Sequence, residues 1–281
     1  MVELTGTLHR HGCAIRFADS AGVDPAGIAA DGATLPPIVF VHGAGADHHM
    51  FDNQSAALVA DGHRVVVWDQ RSHGQSRPSS ETFTAEVALA DLTTLVDHLA
   101  LKRPILVGLS LGGNLAQAAV RADPDRWAAL AVLDATWNTG PLSRMERSLL
   151  TLAAPALRLI PQRSLPTMMA RASAVTDAAI ADAIRAFEQQ TRAEFIAAWR
   201  TTVAFVKPDD GYRTAIPLCL VRGELDATGN IATSMPRWAR AEGIREHVVP
   251  GAGHLVTQDA PEETTRILRG FIASLEGEQT R

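Results

Sequence analysis

The 281-residue sequence predicts an α/β fold: a mostly parallel, doubly wound sheet with an inserted block of helices. Three observations support this prediction. Short runs such as 37–41 are apolar at every position, which is typical of strands buried on both faces of a parallel sheet. Longer helix-like segments separate these runs, and strands that alternate with helices indicate parallel pairing. One long stretch, about residues 138–213, contains helical patterns only.

The predicted elements follow one another in a regular order. Residues 5–19 alternate loosely and predict an antiparallel hairpin at the sheet edge, and the Gly-, Ala-, Asp- and Pro-rich residues 20–36 predict a loop. The alternation then gives strands at 37–41, 64–69, 104–109 and 128–134 and helices at 50–60, 84–99 and 111–121. After the helical block it resumes with strands at 217–222 and 245–249 and helices at 232–241 and 260–275.

The helical block predicts a second unit, residues 138–213, inserted into a core formed by residues 1–137 and 214–281. Its helices are predicted at 143–160 (interrupted by Pro155), 165–172, 177–190 and 192–206. Its apolar side chains either line a pocket or pack the block onto itself; they are Leu149, Leu150, Leu152, Leu157, Leu159, Met168, Met169, Phe187, Phe195 and Trp199. An ordinary stretch of helical core is the alternative interpretation.

Composition excludes several classes of protein. The net charge is −5, the pI is about 6.0 and no basic cluster stands out, so nucleic acid is not an expected partner. The first ten residues resemble no secretory signal, and no apolar run approaches the length of a membrane span, which predicts a cytoplasmic protein without membrane contact. Cys13 and Cys219 are expected to be reduced thiols. The adjacent His48 and His49 suit no zinc geometry, and we expect neither metal nor cofactor.

A serine in a G-x-S-x-G pentapeptide is the strongest candidate for a functional residue. Ser110 lies between Gly108 and Gly112, after a strand-like run and before a helix-like segment. This order is typical of a nucleophile elbow, a sharp turn that exposes the serine hydroxyl. The glycines fit a turn too tight for side chains and a helix that lies close to the strand. The pentapeptide alone is a weak signal, and its context carries the interpretation.

An acid and a histidine complete that context. Asp226 follows the strand predicted at 217–222, and His254 lies in a Gly-rich loop after the strand predicted at 245–249. The chain order Ser, Asp, His is that of α/β-hydrolases and differs from the orders in two unrelated serine-protease folds.

Five segments together resemble the α/β-hydrolase superfamily over nearly the whole chain. They are H-G-A-G at 42–45, D-Q-R-S-H-G-Q-S at 69–76, G-L-S-L-G-G at 108–113, G-E-L-D at 223–226 and G-A-G-H at 251–254. Ser72 stands where relatives usually carry glycine. The resemblance is greatest to serine esterases and enol-lactone hydrolases, and it implies that the helical block is a cap, or lid, over the active site.

The resemblance implies a role for each residue of a catalytic triad. Ser110 would be the nucleophile, His254 the base, and Asp226 the acid that holds the imidazole in the required tautomer. Asp134, at the end of the strand predicted at 128–134, is the rival acid, because a minority of these enzymes take their acid from that strand. His42, a competing histidine, matches a residue that supports the oxyanion loop.

Two further roles follow from the resemblance. The backbone N–H groups of Ala44 and Leu111 would form the oxyanion hole, with Gly45 as the alternative to Ala44. Asp69 matches a structural aspartate at the end of its strand.

The sequence therefore predicts a cofactor-free serine hydrolase that cleaves a small carboxylic ester or lactone through an acyl-enzyme on Ser110. Carbon–carbon bond hydrolysis of a diketone and perhydrolase activity use the same residues and stay open. A non-catalytic ligand-binding protein of the same fold is the alternative from a different class. The acyl and alcohol groups, the stereopreference and the oligomeric state are left open by the sequence.

Overall fold

A computed structural model describes residues 2–22 and 35–279 of the chain. Eight strands form one sheet in the order β1-β2-β4-β3-β5-β6-β7-β8. Their bounds are β1 Gly6–Arg10, β2 Cys13–Asp19, β3 Ile38–Val41, β4 Val65–Trp68, β5 Ile105–Leu109, β6 Ala129–Leu133, β7 Leu218–Gly223 and β8 His247–Val249. Strands β3 to β8 pair in parallel, and β1 and β2 form an antiparallel hairpin that joins the sheet at β4.

Ten α-helices occur in the described residues. They are α1 Asp52–Ala60, α2 Ala85–His98, α3 Leu111–Ala122, α4 Arg144–Leu157, α5 Leu165–Ser173, α6 Asp177–Glu188, α7 Arg192–Phe205, α8 Ile231–Glu242, α9 Val256–Asp259 and α10 Pro261–Gln279. Helices α1 and α10 pack on one face of the sheet, and α2, α3 and α8 pack on the other. The sheet is therefore doubly wound, as predicted.

The apolar runs are explained by burial on both faces. In β3, Ile38 and Phe40 pack into the core under α1 and α10, whereas Val39 and Val41 pack into the core under α2 and α3. Successive side chains of a strand point to opposite faces, so a strand covered on both sides needs apolar residues at every position. All four residues are at most 1% exposed.

The predicted elements lie within a few residues of the observed ones. Residues 20–22 of the predicted loop form a short 3₁₀ turn, and its residues 23–34 lie outside the described part of the chain. Helix α4 continues past Pro155, where the sequence predicts an interruption; a proline removes a backbone hydrogen bond, which weakens a helix without always ending it. The short helix α9 is not predicted by the sequence.

The four helices α4 to α7 connect β6 to β7, and we call them the inserted helices. They rest on the core through polar contacts to the segment after β4: Gln190 Nε2 donates to the carbonyl of Ser72 at 2.9 Å, and Arg77 pairs with Glu194 at 2.8 Å. Leu159 and Met168, which are predicted to line a pocket or pack within the block, are instead 86% and 44% exposed. Leu159 lies beyond the end of α4 at Leu157, so the helical pattern predicted through residue 160 does not apply to it.

Candidate active site

The turn between β5 and α3 presents Ser110 in the conformation that its motif predicts. Ser110 has φ 55° and ψ −122°, a region that L-residues seldom adopt. A Cβ atom at Gly112 would overlap the carbonyl of Val41, and one at Gly108 would overlap the carbonyl of Gly112. Helix α3 therefore approaches β3 and β5 as closely as glycine allows, and the serine side chain stands clear of the turn.

Asp226 and His254 form a hydrogen-bonded pair at the same edge of the sheet. Nδ1 of His254 lies 3.0 Å from Oδ2 of Asp226. The other carboxylate oxygen of Asp226, Oδ1, accepts the N–H of Thr228 at 2.8 Å. Both side chains are buried, at 7% and 4% exposure. Burial opposes the charge of Asp226, but the charge and hydrogen bond of His254, with the Thr228 N–H, outweigh it, so the pKa of Asp226 falls below its usual value.

The rival acid Asp134 lies beside this pair and not in it. Its Oδ1 accepts the N–H of Gly223 at 2.8 Å, and its side chain is wholly buried. Burial, followed by the charge of Asp226, raises the pKa of Asp134 well above its usual value. The imidazole of His254 thus hydrogen-bonds to Asp226, and an oxygen of Asp134 lies within 4.8 Å of the pair.

The loop after β3 and the first turn of α3 each bring a backbone N–H group close to Ser110. The Cβ of Ser110 would lie 3.3 Å from a Cβ at Gly43, so this loop passes directly over the serine. Ala44, the next residue, lines the same cavity as Ser110 and His254. Leu111 is the first residue of α3, where an N–H has no acceptor within the helix. Both groups can donate to an anion that forms on a substrate.

His42 and Asp69 occupy structural positions. Nε2 of His42 accepts the N–H of Gln70 at 2.9 Å, and its Nδ1 lies 2.8 Å from the carbonyl of Gly43. Burial lowers the pKa of His42, which keeps the ring neutral. Asp69 accepts the N–H groups of His48 and Gln75 at 2.8 and 2.7 Å. These contacts tie the loop after β3 to the loop after β4.

Two small cavities meet at Ser110. The first, of about 60 Å³, is lined by the loop after β3 and by His254. The second, of about 40 Å³, is lined by Ala135 and Leu150. Trp199 of α7 lines both, and its indole N–H is buried without a hydrogen-bond partner among the described residues. Of the other predicted pocket residues, Met169, Phe187 and Phe195 line the first cavity and Leu150 the second. A larger cleft of about 580 Å³ beside α2, α3 and α8 contains none of Ser110, Asp226 and His254.

The inserted helices are fastened to both sides of this site. On one side, Arg185 of α6 donates to Asp47, three residues after Ala44. On the other side, the carboxylate of Asp259 in α9 accepts N–H groups from Val175, Thr176 and Gly253, and the hydroxyl of Thr176, at 2.9 to 3.1 Å. The sequence analysis missed both contacts, since no local motif marks residues that meet across such separations.

Among the described residues, two groups of side chains have the spacing of metal ligands, and most of their donor atoms already have protein partners. In the group of Asp134, Asp226 and His254, the last two bond to each other. In the group of Asp47, His48 and His49, Arg185 holds the carboxylate, and the Nδ1 atoms of the two histidines lie 2.8 and 3.1 Å from the carboxylates of Asp69 and Asp52. These hydrogen bonds and ion pairs account for the clustering of both groups without a metal ion.

The sequence profile of the Alpha/beta hydrolase family matches residues 38–267, and the chain belongs to this family. The sn-1-specific diacylglycerol lipase of Mus musculus is 39% identical over 103 residues, which are 36% of this chain and 33% of the lipase. The chain therefore matches about a third of the length of that curated relative.

Solved structures extend the likeness over the whole fold. A thermophilic esterase from Thermogutta terrifontis is 25% identical, with a TM-score of 0.75 and 98% coverage of both chains. The enol-lactonase from Burkholderia xenovorans LB400 has a TM-score of 0.78 at 20% identity, covering 95% of this chain and all of its own, and shows the shared fold alone. The comparisons thus show the family and the fold of the chain. No helix in the described residues is long and apolar enough to cross a bilayer.

Proposed function

We propose that the protein is a serine hydrolase that cleaves a small carboxylic ester or lactone through an acyl-enzyme on Ser110. The observation that carries this proposal is the hydrogen-bonded pair of Asp226 and His254, in which His254 lines the same cavity as a serine held at positive φ. A serine hydroxyl is a poor nucleophile without a base, and a neutral imidazole oriented by a carboxylate supplies one.

The reaction would follow from these contacts. His254 takes the proton of Ser110 as its oxygen attacks the scissile carbonyl, and later returns a proton to the leaving group. The N–H groups of Ala44 and Leu111 stabilise the oxyanion, an interaction worth about 3–4 kcal/mol per donor in a comparable enzyme. A water molecule then attacks the acyl-enzyme by the same steps, which releases the acyl group and restores Ser110.

The shape of the site supports a small substrate. The cavities on the two sides of Ser110 measure about 60 and 40 Å³ and provide separate places for the two substituents of a carbonyl. Apolar side chains of the inserted helices, such as Phe187 and Phe195, enclose the first cavity, which fits a role as a lid that excludes water. The free indole N–H of Trp199 provides a donor for a polar oxygen of the substrate.

A panel of purified-enzyme assays tests the proposal. We expect turnover of p-nitrophenyl acetate and of small lactones, and a kcat/KM for p-nitrophenyl octanoate at least about tenfold lower, because a long chain has to displace the lid. A fluorophosphonate probe should label wild type and leave Ser110→Ala unlabelled. Turnover of a ring-cleavage diketone without ester turnover would move the activity to carbon–carbon bond hydrolysis, and an unlabelled wild type would favour a binding protein.

A further inference from the structure

Two carboxyl groups, those of Asp134 and Asp226, meet at the buried end of the site. One oxygen of each carboxyl group and one ring nitrogen of His254 lie within 4.8 Å of one another. Asp134 is wholly buried and Asp226 is 4% exposed. Two carboxylates at this separation and away from water repel each other strongly, which favours a proton on one of them.

The surrounding contacts decide which carboxyl group is charged. Asp226 pairs with His254 and accepts the N–H of Thr228, and both contacts favour its carboxylate. Asp134 accepts only the N–H of Gly223, and its Oδ2 is buried without any donor among the described residues. An oxygen in this position is satisfied when it carries a proton and donates it to a neighbouring acceptor.

A cation that acts on Asp134, the guanidinium of Arg222, is already paired. Arg222, on β7, is the charged group that favours ionisation of Asp134. Its Nη2 lies 3.4 Å from Glu246, so much of its charge is balanced there. Burial and the charge of Asp226 outweigh it, and the pKa of Asp134 is raised well above its usual value.

We propose that Asp134 is a neutral carboxylic acid whose Oδ2 donates a hydrogen bond to the carboxylate of Asp226 and thereby positions the Asp226–His254 pair. The proposal rests on the proposed function, because Asp134 acts through Asp226. It is a positioning residue: it keeps its proton throughout and touches no substrate. An Asn at this position keeps an N–H donor and no charge, whereas an Ala removes the donor.

The first test measures folding and needs no turnover. At pH below about 4 Asp134 is protonated in the folded and the unfolded chain alike. Above that pH the unfolded chain releases this proton and the folded chain keeps it, so wild type loses stability as pH rises, up to the raised pKa. The loss is tenfold in the unfolding constant per pH unit, or about 1.4 kcal/mol. Asp134→Asn has no such proton.

Urea unfolding of wild type and Asp134→Asn between about pH 5 and pH 7 therefore decides the charge. We expect the difference in unfolding free energy to move in favour of the variant by about 1.4 kcal/mol for each pH unit, with the titrations of all other groups cancelling. A difference that stays constant over this range overturns the proposal. The result does not depend on which reaction the site performs.

The second test uses the acid limb of the kcat/KM profile. If Asp134 is a neutral donor, Asp134→Asn keeps the limb in place. Asp134→Ala leaves Asp226 more basic, moves the limb to higher pH and lowers kcat several-fold with little change in KM. If Asp134 is instead charged, both variants lose a negative charge beside the imidazole, and both limbs move to lower pH. That common downward shift would refute the proposal, whereas an absence of ester turnover in wild type would refute the proposed function alone.

Discussion

The ring of Phe187 occupies the space that a side chain at Gly45 would need. A Cβ atom on Gly45 would overlap three atoms of that ring, and Gly45 has φ +75°, where residues with a side chain are strained. Phe187 belongs to α6, and Gly45 follows Ala44 in the loop that we assign to the oxyanion hole. The inserted helices thus limit the path of that loop by direct contact.

Replacing Gly45 by Ala should shift the loop and weaken the oxyanion hole. We expect a loss of about 1–3 kcal/mol in stability from overpacking and strain, and a fall in kcat of about tenfold or more. Thermal unfolding and ester kinetics measure the two effects. Phe187→Ala provides the matched background: the double variant should recover part of the lost kcat, because the overlap is removed and only the backbone strain is left. A double variant no better than Gly45→Ala would show that the ring does not position the loop.

Removal of the nucleophile should abolish turnover without unfolding the protein. In Ser110→Ala we expect a loss of about a million-fold in kcat, by analogy with triad knock-outs in subtilisin. The melting temperature should change little, because one small hydroxyl is lost from a half-buried position. Activity above about a tenth of wild type would exclude Ser110 as the nucleophile.

Asp226→Asn should cost far more activity than Asp134→Asn, which is its matched control. An amide at position 226 keeps the shape of the side chain but favours the wrong tautomer of His254, and the loss in kcat should be about ten-thousand-fold, as in trypsin. The same change at position 134 should cost at most about tenfold, since an amide there keeps the donor. Steady-state kinetics of both variants at one pH checks the ranking. The reverse ranking would transfer the acid to β6.

Arg185→Ala should destabilise the protein in a pH-dependent way. The side-chain hydrogen bonds and charge of Arg185 overcome burial and hold the pKa of Asp47 well below its usual value. A lowered pKa contributes stability above the unfolded value of about 3.9, and this contribution is lost as pH falls through the folded value. Arg185 is 41% exposed, so the loss near pH 7 should be limited to about 1–2 kcal/mol.

Chemical unfolding of wild type and Arg185→Ala near pH 7 and below pH 4 measures this loss. The difference should shrink at the lower pH, because Asp47 begins to protonate in the variant, where Arg185 no longer lowers its pKa. Arg185→Lys keeps the charge but not the bidentate geometry, so its free energy of unfolding should lie between those of wild type and Arg185→Ala. Equal losses at both pH values would mean that Arg185 acts by packing and not through Asp47.

The sequence could predict the fold and the grouping of the candidate residues because both follow from local signals. Apolar runs identify the strands, and residues that follow parallel strands lie at one edge of the sheet: Asp226 bonds to His254, and His254 lines one cavity with Ser110. The glycine that relatives usually carry at position 72 also has a local basis. Ser72 has φ +63°, a region of backbone conformation that favours glycine.

The other features depend on distances that the chain order does not encode. Asp47 and Arg185 lie 138 positions apart, and neither belongs to a motif. Burial and the nearby charge of Asp226 raise the pKa of Asp134, and both depend on how β6 and β7 pair. Leu159 and Leu157 look equally apolar in the sequence, yet the first is 86% exposed and the second is 9% exposed.

The carboxylate of Asp259 sets a rule for building chimaeras in this family. Exchanging residues 138–213 for the corresponding part of a relative cuts the chain at only two points, but Asp259 is a third junction, outside the exchanged segment. It binds Thr176, inside that segment, and Gly253, next to His254. A grafted segment without a matching hydroxyl and N–H groups would release the loop that carries the imidazole. Libraries of grafted helices should therefore vary position 259 together with the graft.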